Sequence, residues 1–135
     1  MSDDKARELG IAPLARIVAT GVTEPSTQPA GLGPVEATRR ALESAGMAIG
    51  DMDLIEINEA FAVQVIATYR ALKLDVSRLN VHGGAIALGH PFGMTGARIM
   101  TTLLNGLEDA GARYGMESMC VGGGQGMAMI VERLS

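Results

Sequence analysis

Two strand-like runs stand almost end to end at the close of the chain, residues 114–121 (YGMESMCV) and 126–134 (GMAMIVERL), with only Gly-Gly-Gly-Gln between them. A link that short joins only antiparallel neighbours, so any fold of this chain contains that hairpin. Upstream, the hydrophobic period alternates. Residues 14–20 (LARIVAT), after Pro13, and 54–57 (LIEI) read as further strands. Between and after them lie helical patterns. From Pro34, which suits a first helical position, Val35, Thr38, Ala41, Leu42 and Ala45 recur at helical spacing until Gly46 stops the run, leaving Glu36, Arg39, Arg40 and Glu43 toward water. A second helix over 60–72 carries Phe61, Val65, Ile66, Tyr69 and Leu72 with few charges, and its wide apolar arc predicts burial on more than one side. A third, from about Thr95, turns Ile99, Met100, Leu103, Leu104 and Leu107 inward and ends at Gly111. Ser2 caps a short helix over 2–9 that Gly10 ends. Strand, helix, strand, helix, loop, helix, strand, strand is the order of a mixed sheet with helices packed on it, an α/β layered domain.

A length of 135 residues accommodates one such domain, with residues 1–10 as an appendage. The Thr/Pro/Ser/Gln-rich connection 21–33 is long for a compact domain, and reads as a plain crossover or as a binding loop. Charged residues make up only 19% of the chain, few enough that part of its surface is expected to be an interface. The net charge of -4, with Arg39-Arg40 as the only basic pair, argues against a nucleic-acid partner. No run approaches 18 apolar residues and the opening MSDDKARELG lacks signal-peptide chemistry, so the expectation is a soluble cytoplasmic protein without a membrane partner. Cys120 is the only cysteine, which rules out an internal disulfide, and two separated histidines with one distant cysteine do not make a metal site.

Chemistry concentrates in three places: Asn58 at a strand end in NEAFA, His90 in a Gly-His-Pro turn, and Cys120 before three glycines. Ligands of open α/β sheets collect beyond the carboxyl ends of strands, where Asn58 lies. A thiol beside an imidazole can exchange protons, and Gly122, Gly123 and Gly124 have no Cβ to keep their N–H groups from an oxyanion. Each residue also has a purely structural reading. A cysteine in a strand is more often an inert core thiol, Asn58 reads as a helix N-cap, Glu59 as a first-turn acid suited to the helix dipole and His82 as a loop residue bonded to backbone. The methionines at 116, 119, 127 and 129 read as core filling, and the glycines lack the lysine or strand context of a nucleotide loop.

Taken together, NEAFA at 58–62, NVHGGAIALGHP at 80–91, GAR at 96–98 and CVGGGQG at 120–126 resemble the C-terminal domain of thiolases of the acetyl-CoA acetyltransferase and 3-ketoacyl-CoA thiolase type. The resemblance covers nearly the whole chain. It assigns residues 11–135 to that domain and 1–10 to the tail of a preceding N-terminal domain or its junction. It implies a five-stranded mixed sheet covered by helices, and reversible Claisen condensation or thiolysis of acyl-CoA thioesters. His90 is then the activator of a nucleophilic cysteine and a donor to the thioester oxygen, and Asn58 holds a water in the same oxyanion site. Cys120 is the acid/base at the second substrate, with the Gly122 N–H in the other oxyanion hole. Coenzyme A thioesters enter as substrates, with no further cofactor and no metal. The nucleophilic cysteine of that family belongs to the N-terminal domain, and Cys120 matches the acid/base position instead. An N-terminal thiolase domain or chain is therefore the expected partner, within a homo- or hetero-oligomer, and the isolated chain is expected not to turn over. The alternatives are an inactive interaction module and part of a thiolase for bulky, sterol-type acyl groups.

Overall fold

A computed structural model describes residues 1–24 and 32–134. Helix α1 (Asp3–Glu8) is capped by the Ser2 hydroxyl, which accepts from Lys5 N, and buries only Ala6. Strand β1 (Ala15–Val22) starts and ends slightly later than its pattern suggested. Of the long connection that follows, residues 25–31 lie outside the described residues. Helix α2 (Gly33–Ala45) has proline in its first turn and stops at Gly46, whose φ of 65° is the left-handed conformation a helix-ending glycine adopts. Strand β2 (Leu54–Ile57), helix α3 (Ala62–Leu72), a four-residue α4 (Ala85–Leu88) and the long α5 (Phe92–Asp109) follow. The closing hairpin is present as expected, β3 (Tyr114–Val121) pairing antiparallel with β4 (Gln125–Arg133).

The sheet order is β1-β4-β3-β2, with β2 parallel to β3 and the other pairs antiparallel. The chain therefore builds a mixed sheet of four strands among the described residues, where the resemblance implied five. At the outer edge of β2 the fifth position is filled by less than a strand: a single parallel bridge joins Ile55 to Leu79. Asn80 then completes the edge with its side chain, Oδ1 accepting from Ile57 N at 2.8 Å and Nδ2 donating to Ile57 O at 2.9 Å. An amide group carries the same donor and acceptor as a peptide, so Asn80 takes the place of a ladder residue on an otherwise open edge.

Helices α2 and α3 cover one face of the sheet, where Ala37, Ala41, Leu42 and Val65 pack with Ile55, Ile57, Met116, Ala128 and Ile130. Helix α5 covers β2 and β3 on the other face through Leu103 and Leu107, but leaves the β1–β4 half open. Ile17, Val22 and Met127 are exposed there. Of the four methionines expected in the core, only Met116 is fully buried; Met119, Met127 and Met129 line a shallow cavity of about 200 Å³ on the uncovered sheet instead. Helix α3 likewise buries only Gln64, Val65 and Thr68, and Phe61, Val63 and Ile66 stay exposed, so its wide apolar arc is covered on one side alone.

The start of α2 presses directly on the start of β4. A Cβ on Gly126 would lie 2.1 Å from Gly33 C, and one on Gly33 would lie 2.7 Å from Gln125 C, backbone against backbone. Thr23 fastens the same junction, its Oγ1 accepting from Gly126 N at 2.6 Å and its N–H donating to Gly126 O at 3.0 Å. This contact fixes the end of the hairpin loop next to Cys120, which is the ladder partner of Gly126.

Candidate active site

The parallel pair β2 and β3 directs Asn58 and Cys120 to the same end of the sheet, and the turn before α5 brings His90 there. His90, Cys120 and Gly122 line one cavity of about 450 Å³ together with Phe92, Met119 and Val121. Cys120 is partly exposed to that cavity, which is not the surrounding of an inert core thiol. The Gly122 Cα has no neighbour within 4 Å of where a Cβ would stand, so its backbone is open to an approaching group. Asn58 is fully buried behind the histidine, its Nδ2 at 3.2 Å from His90 Nε2. The four residues singled out from the sequence thus converge on one site, whereas His82 lies away from it, against Gly106 of α5.

Two expectations for the NEAFA segment are corrected. Asn58 does not cap a helix: α3 begins four residues later with Phe61 at its cap and no side-chain cap bond. Burial of the Asn58 amide against an imidazole gives it the partner that a cap would have supplied. Glu59 is not in a first helical turn. Its carboxylate accepts from Asn80 Nδ2 at 3.1 Å and from Ile86 N at 2.9 Å, clamping the loop that leads to His90. Gly84 makes room for this clamp, since a Cβ there would stand 2.3 Å from Glu59 Cδ.

Two further groups near the site carry signals that were present in the sequence but not used. Thr95, five residues after His90, is fully buried with its Oγ1 2.6 Å from His90 Nδ1. Glu56 interrupts the apolar strand LIEI and Arg98 interrupts the apolar face of α5, and the two meet with Nη1 at 3.8 Å from Oε2. A charge inside an apolar strand calls for a buried counter-charge, and Arg98 is the one available on the facing helix.

Opposite Glu56 in the ladder stands Glu117 on β3, which lines the shallow cavity together with Met119, Met127 and Met129. Burial pushes the Glu56 carboxyl up to about 7, against the pull of Arg98 and with help from Glu59 and Glu117, and burial alone pushes Glu117 up to about 7. Above the ordinary value of 4.5 the unfolded chain releases these protons while the folded chain retains them. The stability they contribute is therefore complete below pH 4.5 and lost as pH rises through about 7. The urea midpoint of the chain is expected to fall across this window, and Glu117→Gln is expected to flatten the fall. A midpoint that rises between these pH values in the native chain contradicts the assignment.

Among the described residues no helix is long and apolar enough to cross a membrane, and no three His, Cys, Asp or Glu side chains are grouped to hold a metal ion. The sequence profile described as "Thiolase, C-terminal domain" matches residues 11–133. An acetyl-CoA acetyltransferase of Syntrophomonas wolfei is 52% identical over 99% of this chain, a match that covers 34% of that protein. The acetyl-CoA acetyltransferase of Escherichia coli is 48% identical over 100% of the chain and 34% of its own length. The crystal structure of human mitochondrial 3-ketoacyl-CoA thiolase in complex with CoA superposes with a TM-score of 0.95 at 47% identity, covering 99% of this chain and 34% of that one. The chain thus spans about a third of the length of the curated relatives it matches.

Proposed function

The chain belongs to the thiolase family as its C-terminal domain, and from that premise we propose that it supplies the imidazole, the amide and the acid/base thiol of a site for reversible Claisen condensation or thiolysis of acyl-CoA thioesters. The observation that carries this reading is the shared cavity of His90, Cys120 and Gly122, backed by Asn58.

In this reading His90 Nε2 removes the proton of a nucleophilic cysteine and then offers the resulting N–H to the oxygen of the thioester under attack. Asn58 holds His90 from behind and presents its buried Oδ1, which has no partner among the described residues, to a water of the same oxyanion site. Cys120 takes a proton from the α-carbon of the second thioester in condensation and returns it in thiolysis. The Gly122 N–H faces the oxygen of that second substrate. No cofactor is assigned; coenzyme A is part of the substrates, in keeping with the CoA complex of the human relative.

The nucleophile is assigned to an N-terminal thiolase domain or chain, because Cys120 is the only cysteine here and sits before the three glycines. Residues 1–10 are read as the tail of that domain and 11–135 as the C-terminal domain. Two apolar surfaces are available to the partner and to an oligomer: the open β1–β4 half beside α5, with Ile17, Val22 and Met127, and the exposed arc of α3 with Phe61 and Val63. The test is to assay the 135-residue chain alone and together with the N-terminal portion of a related thiolase, following acyl exchange between CoA thioesters. Activity is expected only in the combination. Robust transfer by the chain alone, or none from a pair that demonstrably assembles, overturns the reading.

A further inference from the structure

We infer that Thr95 is a positioning residue that locks His90 as the Nδ1–H tautomer, leaving Nε2 unprotonated. The functional consequence rests on the role of His90 proposed above; the tautomer itself does not.

The argument follows a single hydroxyl proton. Thr95 Oγ1 lies 2.6 Å from His90 Nδ1 and 3.1 Å from Pro91 O. If the hydroxyl donated to Nδ1, the lone pairs of Oγ1 and of the Pro91 carbonyl would face each other at 3.1 Å with no proton between them. If it donates to Pro91 O, the usual bond of a helical threonine to the carbonyl four residues back, Oγ1 is free to accept and Nδ1–H fills the short contact. Only the second arrangement satisfies both contacts. Asn58 does not separate the two tautomers, since its Nδ2 lies 3.2 Å from Nε2 and 3.5 Å from Nδ1, so the Thr95 and Pro91 contacts alone fix the tautomer.

The surroundings prevent an easy escape. Thr95 and Asn58 are fully buried beside the imidazole, so the ring cannot rotate to exchange its nitrogens without disturbing both of them. Which nitrogen of a histidine is basic is set by what the other one bonds. Here the bonded nitrogen is Nδ1, and the basic one is the nitrogen that takes the thiol proton: the S–H bond breaks, its electron pair stays on sulfur, and the proton becomes Nε2–H. The Nδ1–H then continues to donate to Thr95 while the ring is positively charged.

The chain has only two histidines, so nitrogen NMR reads the tautomer directly. With ¹⁵N-histidine label in the 135-residue chain, His82→Asn identifies the His90 signals, and a titration carried upward until they stop moving isolates the neutral ring. Native chain and Thr95→Ser are expected to show a protonated Nδ1 and an unprotonated Nε2. Thr95→Val, which keeps the shape but cannot accept, is expected to lose that pattern. In the enzyme completed by its N-terminal portion, Thr95→Val is expected to slow acylation of the partner cysteine ~10- to 100-fold and Thr95→Ser to recover it. Nε2–H in the native chain, an unchanged pattern in Thr95→Val, or an unaffected acylation rate overturns the inference. If Thr95→Val does not fold, the native and serine chains still decide the tautomer. Correct tautomers in an assembled enzyme that never acylates would instead reject the proposed function and leave the tautomer standing.

Discussion

Cys120→Ala is expected to lower both thiolysis and condensation by ~1,000-fold in the enzyme completed by its N-terminal portion, while the cysteine of that portion still becomes acylated. The separation follows from position. Cys120 stands at the carboxyl end of β3, on the wall of the cavity whose other members include His90 and Gly122. The first half-reaction needs the imidazole, the partner thiol and donors to the thioester oxygen, and none of these is the Cys120 sulfur. The second needs a proton moved at a carbon, a step with a high barrier unless a base is already in place. Alanine fits the site without strain: the residue is partly exposed, and the opposing ladder position is Gly126. Loss of turnover therefore reports chemistry rather than unfolding, which an unchanged melting temperature checks. Intact-mass measurement of the N-terminal portion after exposure to acyl-CoA is the deciding observation. A persistent acyl adduct without turnover supports the assignment, and absence of the adduct removes it.

The readability of this fold and site in the sequence differed by element for physical reasons. The β3–β4 hairpin was legible because a four-residue glycine-rich link leaves one topology, and α2 was legible because proline, apolar period and glycine all agree on its limits. The edge of the sheet was not. Asn80 seals β2 with a side chain, and no hydrophobic period can announce a ladder rung made by an amide. The resemblance implies a fifth strand where the described residues have one bridge and that side chain.

At the site, residue types announced His90 and Cys120, but their supports required distances. Asn58 has the look of a helix cap because it precedes a helical pattern by the right interval; the helix starts later, at Ala62, since residues 58–61 are spent on the turn that buries Asn58 and aims Glu59 at Ile86 N. Thr95 gave a weak sign, a hydroxyl five residues from a histidine, whose meaning depends on the turn between them. Glu56 and Arg98 gave a stronger one, each a charge on an otherwise apolar face, yet which of several charges it would meet was set by the packing of α5 on β2. The exposed Met127 and Phe61 show the reverse: their periodicity assigned them to a core that this chain by itself does not complete.

His90→Ala is expected to fail one step earlier than Cys120→Ala, lowering acylation of the partner cysteine by ~1,000-fold or more, with turnover falling in proportion. Two losses combine at the same atom. Nε2 is the base that makes the partner thiol nucleophilic, and once protonated it is a donor to the oxygen that gains charge, so removing it raises the barrier for forming the adduct on both counts. The structural cost is confined to the turn: Thr95 Oγ1 loses the Nδ1 contact and Phe92 its ring neighbour, while the Glu59 clamp on Asn80 and Ile86 still holds the loop. The measurement is the single-turnover rate of adduct formation, made beside Cys120→Ala under the same conditions. Slow acylation in His90→Ala with near-native acylation in Cys120→Ala places the two residues on successive half-reactions. Equal acylation rates in His90→Ala and the native enzyme would take His90 out of the chemistry, and with it the reason for Thr95 to hold its tautomer.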